Sequence, residues 1–232
     1  ESLLSIPDVS ADQINAEKEF YGEILSEIKE DPSLSDNKKE YLDKASYHYL
    51  IRNDFEFIKV IDPYCTNIDP TFTKSYIIDL KKTYQFKYSF VDNINDKIDN
   101  AIIYETHVRD FTISLPLKHK GKFLGIVESK DIEKHGINYL KDLGITHVQF
   151  APVNAFGGVD YTITDPFDKN FKYNWGYNPI YYNALCGWYS SNPLDPYQTI
   201  NDFKQMIDEL HQENIGVILD VVYNHVYITE EY

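Results

Sequence analysis

The stretch GVILDVVYNH, residues 216–225, decides the fold of this chain. Its apolar run from Val217 to Val222 has the β-branched character of a buried strand, yet it contains one carboxylate, Asp220. A buried aspartate without partners is costly, so this side chain is expected to be paired or functional. Asn224 and His225 follow in the loop that leaves the strand.

Strands and helices alternate along the chain from residue 101 onward. AIIYETHV (101–108) and ITHVQFAPV (145–153) are strand-like, and apolar stripes predict helices over 131–143 and 199–214. A long segment, 154–198, rich in Gly, Pro, Asn and aromatic residues, separates the second strand from the second helix. Mostly apolar strands joined by helices predict an α/β fold, with a parallel sheet covered on both faces.

The N-terminal part has a different pattern. An apolar stripe predicts a helix over 11–30 and a shorter one over 37–45, so residues 1–45 form a helical segment with no assigned role. Residues 46–90 contain β-like runs around a hairpin turn at Arg52-Asn53-Asp54 and predict part of a small all-β module. The polar, irregular stretch 81–100 predicts a domain boundary.

Composition narrows the range of partners. The formal net charge of −15 would repel a phosphate backbone, so nucleic acid is not expected as a partner. No run of eighteen apolar residues is present, so no membrane span is expected. The opening residues ESLLSIPDVS have neither a basic start nor a long apolar core, which predicts no signal peptide here and leaves the compartment open. Cys65 and Cys186 fit no metal motif and are interpreted as free, buried thiols.

Polar residues gather where the predicted strands end. In parallel α/β folds the carboxyl ends of the strands meet at one edge, where ligands bind. The candidates at this edge are Glu105, His107, Arg109 and Asp110 after the first strand, Gln149 and Asn154 at the second, and Asp220, Asn224 and His225 at the third. On spacing alone, a network that ties strands and caps helices explains this pattern as well as a functional site does.

Two motifs carry a resemblance to a known family. DVVYNH, residues 220–225, resembles the first signature region of the α-amylase superfamily of glycoside hydrolases. YNWGYNP, residues 173–179, resembles the motif that precedes it in type I pullulanases and the debranching branch. Upstream, IIYETHVRDFT and LGITHVQFAPVNAFGGVD resemble that family's first and second barrel strands, and FEFIKVIDPY resembles the exit from the module before the barrel. The resemblance covers roughly residues 46–232.

The resemblance implies a fold more specific than α/β. Residues 101–232 would be the N-terminal portion of a (β/α)8 TIM barrel, comprising its first three strands. Residues 46–90 would be the end of a β-sandwich module of the carbohydrate-binding kind.

The resemblance also implies roles for individual residues. Tyr177 would be the stacking platform for the sugar at the cleavage site, Asp220 would brace the site floor, and His225 would donate a hydrogen bond to the same sugar. Asn224 matches a position that binds calcium in many amylases and only holds the loop in others, so no cofactor is required and calcium is a candidate ligand. A packed aromatic and a turn residue are the alternatives for Tyr177 and Asn224. Trp175 and Trp188 are interpreted first as loop-packing residues, with substrate contact second.

The implied reaction is hydrolysis of α-1,6 branch points in α-glucans such as pullulan, starch and glycogen dextrins, by a retaining mechanism. The resemblance assigns no catalytic residue within this chain: the nucleophile and the acid/base are expected beyond Tyr232. The chain alone is therefore predicted to be inactive and to require the missing C-terminal part of its own chain as a partner. The alternatives are another hydrolase or transferase of the superfamily and a non-catalytic α-glucan-binding protein.

Overall fold

The computed structural model of this protein describes five stretches of the chain. They are residues 43–53, 56–90, 100–163, 165 and 167–227. The helix predicted over 11–30 lies outside these residues, and of the helix predicted over 37–45 only 43–45 are described, as a turn. Within the described stretches, no helix is both long and apolar enough to cross a lipid bilayer.

The N-terminal part contains two small antiparallel sheets. Its strands are β1 (Ser46–Tyr47), β2 (Tyr49–Asn53), β3 (Glu56–Val60) and β4 (Ser75–Tyr76). The predicted hairpin pairing is present, because β2 pairs with β3, with Asn53 opposite Glu56. Arg52 and Asn53, predicted in the turn, lie in β2 instead. β1 pairs with β4. Each sheet has two strands, so the described residues show the predicted β character but do not by themselves form a sandwich.

The elements that follow alternate between strand and helix. In chain order they are β5 (Ile103–Thr106), α1 (Val108–Thr112), α2 (Phe123–Glu128), α3 (Gly136–Asp142), β6 (His147–Phe150), β7 (Asn154–Phe156), β8 (Pro179–Leu185), α4 (Gln198–Gln212) and β9 (Gly216–Leu219). Single turns of 3-10 helix occupy Leu80–Lys82, Ser129–Asp131 and Gly187–Tyr189.

Three strands form the predicted parallel sheet, in the order β5-β6-β9. Glu105 lies level with Gln149, which lies level with Ile218. The carboxyl ends of all three strands therefore meet at one edge, as the sequence pattern predicts.

Helices cover one face of this sheet. Tyr104 contacts the rings of Phe111 in α1 and Tyr139 in α3, and the buried Val148 belongs to the same apolar core. Glu105, Gln149 and Ile218 point to the opposite face, and none of them is fully buried. The expectation that the sheet is covered on both faces is therefore wrong for the described residues. We call this second face the open face; it carries polar side chains that an apolar helix would not cover.

The two predicted helices differ in how well the structure matches them. α4 occupies almost all of 199–214, but the helix predicted over 131–143 is observed only as α3, from Gly136. The reason is local: Lys134 adopts a left-handed backbone conformation (φ 61°), which a right-handed helix does not include. The helix therefore cannot extend from Gly136 back to residue 131.

The long segment between β6 and α4 is not irregular throughout. β7 and β8 pair antiparallel within it, with Phe156 opposite Pro179. This two-stranded sheet holds the ends of the intervening loop together, and the loop contains the YNWGYNP motif.

One apolar core joins the N-terminal sheets to the α/β part. Phe72 packs edge-on against Tyr161, with ring centroids 4.7 Å apart, and both belong to the main buried cluster. Cys65 and Cys186 lie in the same cluster as free, buried thiols, as predicted.

Within the predicted boundary, residues 81–90 and residue 100 are described, and the stretch 81–90 contacts α4. Asp208 of α4 is buried and accepts hydrogen bonds from the Tyr84 hydroxyl (2.6 Å) and from the backbone N–H groups of Lys87 (2.9 Å) and Tyr88 (2.8 Å). Burial raises the pKa of Asp208, but these hydrogen bonds more than offset it, so the pKa lies below its ordinary value. The boundary between 81 and 100 stays a prediction.

Replacing Asp208 by Asn should destabilise the fold. The asparagine side chain keeps one oxygen acceptor but has no charge, and its NH2 group faces the N–H and O–H donors that bind Asp208. We therefore expect a loss of about 2–3 kcal/mol in the free energy of unfolding. The pKa of Asp208 is lower in the folded state than in the unfolded state, where it is about 4. Its contribution to stability is therefore complete above the unfolded-state pKa and disappears as the pH falls through the folded-state pKa.

Urea denaturation of both proteins at pH 7 and in acid measures this effect. The gap between wild type and Asp208→Asn should narrow below about pH 4. The exposed Asp142 supplies a control, since Asp142→Asn should change little. Equal stability of wild type and Asp208→Asn at pH 7 would contradict the assignment.

Candidate functional site

The three predicted sugar-binding residues meet at the carboxyl edge of the sheet. The Tyr177 hydroxyl donates a hydrogen bond to the Asp220 carboxylate, at 2.7 Å. The His225 Nε2 atom lies 3.0 Å from the backbone carbonyl oxygen of Tyr177. A carbonyl oxygen can only accept, so this contact places a proton on Nε2 of His225. The motifs YNWGYNP and DVVYNH, far apart in sequence, therefore form one cluster.

Asp220 follows the strand instead of lying inside it. The predicted strand, Val217 to Val222, is observed as β9, which ends at Leu219. The backbone N–H of Asp220 still bonds to the carbonyl oxygen of Phe150, the last residue of β6, at 3.1 Å. β6 offers no further partner beyond that residue, so the ladder stops there and Asp220 lies half-buried at the sheet edge.

The Asp220 contact also fixes the protonation state of Tyr177. The hydrogen bond to Asp220, together with burial and the negative charge of Glu105, raises the pKa of Tyr177 to about 12. The hydroxyl therefore remains a donor across the neutral range, and the aromatic ring, 40% exposed, is held over the end of the sheet.

Two tyrosines beside His225 were missed by sequence analysis. The Tyr182 hydroxyl donates to the backbone carbonyl oxygen of His225 at 2.9 Å, and its ring packs edge-on against Tyr223 at 5.4 Å. A signal was available, because the run PIYYNAL in β8 is rich in β-forming and aromatic residues.

A second cluster forms where β5 ends. Asp110 accepts hydrogen bonds from Arg109 (2.8 Å) and from the Tyr173 hydroxyl (2.6 Å). His107 is buried, and its Nε2 atom lies 3.1 Å from the carbonyl oxygen of Asn174 and 2.9 Å from the Tyr189 hydroxyl. Burial lowers the pKa of His107, which favours the neutral ring. These predicted polar residues therefore bind the YNWGYNP loop.

The same loop is also held by its own residues. The Asn174 amide donates to the carbonyl oxygen of Gly157 at 2.9 Å, and its oxygen accepts from the backbone N–H of Gly176 at 2.8 Å. Gly176 has φ +93°, and a Cβ atom there would come within 2.7 Å of the Pro152 carbonyl oxygen. Only glycine fits this turn without strain, and the turn presents Tyr177 to Asp220.

Gly176→Ala should destabilise the protein more than the matched variant Gly144→Ala. Gly144 also has a positive φ, +67°, but nothing lies within 4 Å of the added Cβ atom, so this control measures the backbone cost alone. That cost is about 1–3 kcal/mol at either site, and at Gly176 the contact with Pro152 adds to it. Thermal unfolding followed by circular dichroism gives both values. Equal melting temperatures for the two variants would argue against the tight turn.

The remaining candidates have mixed outcomes. Gln149 donates to Glu105 across the open face, at 3.4 Å, within the strands instead of at the edge. Asn154 does not join the site: it begins β7, and its amide donates to the Tyr182 carbonyl oxygen. Trp188 is buried and stacks on Phe171, as predicted for a packing residue. Trp175 packs edge-on against Tyr173 of the same loop, as predicted, but it is 60% exposed, so packing covers only part of its surface.

Calcium binding at Asn224 stays a prediction. Asn224 is exposed, and no group of three or more His, Cys, Asp or Glu residues in the described stretches could hold a metal ion. Calcium takes about six to eight oxygen ligands, which Asn224 alone does not supply.

The fold and the site together define a class. A parallel α/β sheet that gathers an aromatic loop, an aspartate and a histidine at its carboxyl edge belongs to the α/β proteins that bind ligands at that edge. Comparison with known proteins narrows this class.

No family model matches the chain. The pullulanase of Bacillus subtilis strain 168 is 40% identical over 197 residues, which are 81% of this chain and 26% of that protein. Pullulanase A of Streptococcus pneumoniae serotype 4 is 37% identical over 199 residues, 77% of this chain and 15% of that protein. The crystal structure of a pullulanase from Anoxybacillus sp. LM18-11 complexed with maltotetraose matches with a TM-score of 0.72 at 41% identity, covering 80% of this chain and 27% of that one.

These matches confirm the resemblance stated from the motifs. The chain belongs to the pullulanase and debranching branch of the α-amylase superfamily. It spans about a quarter or less of the length of the curated pullulanases named above.

Proposed function

We propose that this chain is part of a debranching glycoside hydrolase that cleaves α-1,6-glucosidic bonds in α-glucans with retention of configuration. The observation that carries the proposal is the cluster of Tyr177, Asp220 and His225, built from the two motifs that resemble the family. The solved relative from Anoxybacillus was crystallised with maltotetraose, an oligosaccharide of the same chemical class.

We propose further that residues 101–232 supply the first three strands of a (β/α)8 barrel. In such a barrel the helices surround the sheet, and the other face of the sheet turns inward. The one-sided helix cover and the polar open face agree with this arrangement. Both outer strands also expose apolar side chains, Ile103 on β5 and Leu219 on β9, where further strands would pair. The predicted β-sandwich module at 46–90 would precede the barrel.

In this proposal Tyr177 and Asp220 act as a unit. The Tyr177 ring stacks against the sugar at the cleavage site, and its hydroxyl is anchored by Asp220 Oδ2. The second carboxylate oxygen, Oδ1, then accepts a sugar hydroxyl. Asp220 therefore braces both the platform and the substrate.

The geometry refines the role of His225. Its Nε2 proton is directed at the Tyr177 carbonyl oxygen, so Nδ1 is the nitrogen that can face the sugar. In the neutral imidazole Nδ1 accepts a hydrogen bond from a sugar hydroxyl, and only the protonated ring could donate one there. The donor role implied by the resemblance thus requires an imidazolium.

Hydrolysis needs two more carboxyl groups, a nucleophile and an acid/base, about 5–5.5 Å apart in retaining enzymes. We assign neither to this chain, and we propose that other parts of the full-length protein supply them. This chain would then contribute substrate binding and the orientation of the reacting sugar.

The test is the action of the full-length protein on pullulan and on linear amylose. We expect release of reducing sugar from the α-1,6 bonds of pullulan and little action on amylose. Rapid cleavage of amylose with pullulan left intact would favour another hydrolase of the superfamily. Binding of pullulan without any cleavage would favour a glucan-binding protein.

A further inference from the structure

Trp175 is an exposed aromatic side chain held in one position. Its ring meets Tyr173 edge-on (centroids 5.5 Å apart, 89° between planes) and His107 edge-on (6.1 Å, 76°). His107 is itself buried beneath the loop, so the indole rests on a rigid base. Even so, 60% of Trp175 is accessible. An indole fixed at its base and open to solvent is prepared to bind a flat apolar surface with little loss of side-chain entropy.

A carboxylate is bound to Tyr173, the residue on which this ring packs. Asp110, with 41% of its side chain exposed, is oriented by Arg109 and by the Tyr173 hydroxyl, each bound to a different oxygen. A carboxylate offers about four lone-pair sites, so these two bonds leave acceptor capacity toward solvent. An aromatic face next to a fixed hydrogen-bond acceptor matches a pyranose ring, whose C–H face is apolar and whose edge carries hydroxyl groups.

Trp175 and Tyr177 lie over the same face of the sheet. Glu105 and His107 are two residues apart in extended backbone, so their side chains point to the same side. The charge of Glu105 acts on the Tyr177 hydroxyl, and His107 contacts Trp175. Asp220, which binds Tyr177, and His107, which contacts Trp175, both follow the carboxyl ends of strands, so one loop brings two aromatic rings, separated in sequence by Gly176, to this edge of the sheet.

We propose that Trp175 is a second sugar-stacking platform, which binds another glucosyl unit of the glucan chain whose reacting unit stacks on Tyr177. The inference rests on the proposed function for its ligand class, an α-glucan. Asp110 accepts a hydroxyl of the unit on Trp175, and His107 and Tyr173 hold the indole in place. A substrate that reaches both rings must be longer than a single sugar, which agrees with the maltotetraose bound by the solved relative.

The experiment measures the affinity of the full-length protein for maltotetraose by calorimetry. Trp175→Ala should weaken binding about fivefold, and Trp175→Tyr should retain most of the affinity because it keeps a stacking face. Leu143→Ala is the control: Leu143 is also exposed, at 46%, but it ends α3 at the opposite, amino end of the sheet, so its truncation should not change binding. On pullulan, Trp175→Ala should raise KM about fivefold and leave kcat nearly unchanged, as expected for a contact remote from the reacting bond.

The outcomes separate this inference from the proposed function. If wild type cleaves pullulan and Trp175→Ala binds maltotetraose as tightly as wild type does, the second platform is refuted and the debranching activity stands. If the protein binds maltotetraose but does not cleave pullulan, and Trp175→Ala still weakens binding, the platform stands and the hydrolase assignment fails. Loss of binding in Trp175→Tyr as well as in Trp175→Ala would show that the ring supports the loop instead of the sugar, and would overturn the inference.

Discussion

The 232-residue chain, purified alone, should release no measurable reducing sugar from pullulan, whereas the full-length protein should release it readily. General acid–base catalysis by a placed carboxyl group contributes about 10²–10⁴-fold in rate, and a retaining enzyme also needs a nucleophile. The described open face and its edge offer the carboxylates Glu105, Asp110 and Asp220. Of these, Glu105 and Asp220 are the two whose charges act on Tyr177, so they are the pair to examine.

The sheet separates the main chains of these two residues widely. β6 lies between β5 and β9, so two strand spacings separate the main chains by about 9–10 Å. Glu105 is level with Ile218, so Asp220 lies about 6–7 Å further along the strand direction. Retaining glycosidases hold their two carboxyl groups about 5–5.5 Å apart, and Asp220 is already bound to Tyr177.

The assay compares the isolated 232-residue polypeptide with the full-length protein, at equal molar concentration. Intact mass should match the 27.1 kDa of the chain, which excludes a longer contaminant. Circular dichroism of the same sample is the control for folding. Turnover by a folded preparation of that mass would refute the prediction and would direct a search for catalytic carboxylates to Glu105, Asp110, Asp160 and Asp220.

Asp220→Asn in the full-length protein should lower kcat/KM on pullulan by about 10–100-fold. Hydrogen bonds to a charged group contribute about 1.5–3 kcal/mol, and each 1.4 kcal/mol corresponds to a tenfold change in rate. The substitution removes the charge that anchors the Tyr177 hydroxyl and that accepts a sugar hydroxyl. Tyr177→Phe should cost less, because the stacking ring remains, and Tyr177→Ala should lose that ring as well, worth about 1 kcal/mol or more.

A double-mutant cycle tests whether the two residues act together. If the hydroxyl of Tyr177 works through Asp220, the variant that combines Tyr177→Phe with Asp220→Asn should lose much less than the product of the two single effects. Asp142→Asn, at an exposed position in α3, is the control and should match wild type. Strictly multiplicative losses would show that the hydrogen bond between Tyr177 and Asp220 is not used during turnover.

The sequence predicts the long elements of this fold better than the short ones. α4 has fifteen residues and a sustained apolar stripe, so its period can be recognised, whereas α1 and α2 have five and six residues and too few turns to show one. β7 and β8 were missed because a run such as PIYYNAL between loops has no clear alternation of apolar and polar residues. The open face was missed because the character of a strand does not show how many layers pack against the sheet.

The same limit applies to the site. The positions of Tyr177, Asp220 and His225 could be predicted because motif resemblance relates distant stretches of sequence. The contacts of Tyr173 with Asp110 and of His107 with Asn174 connect residues more than sixty positions apart. Both partners of each contact lie in stretches that resemble the family, but the resemblance implied no pairing between them. The contacts become visible only when the fold brings the loop onto the end of β5.

The joint between the N-terminal sheets and the α/β part bears on how this protein can be engineered. The Tyr197 hydroxyl, at the start of α4, accepts the backbone N–H of Asp79 at 2.9 Å, and the Asn67 amide donates to the carbonyl oxygen of Pro196 at 3.3 Å. Together with the Phe72–Tyr161 packing, these contacts join the two parts. The N-terminal part therefore cannot be exchanged independently of the α/β part. A chimaera that takes residues 46–90 from a relative also needs the matching α4 surface of that relative. A truncated protein that starts at residue 101 exposes Tyr161 to solvent, and this exposed apolar surface should promote aggregation.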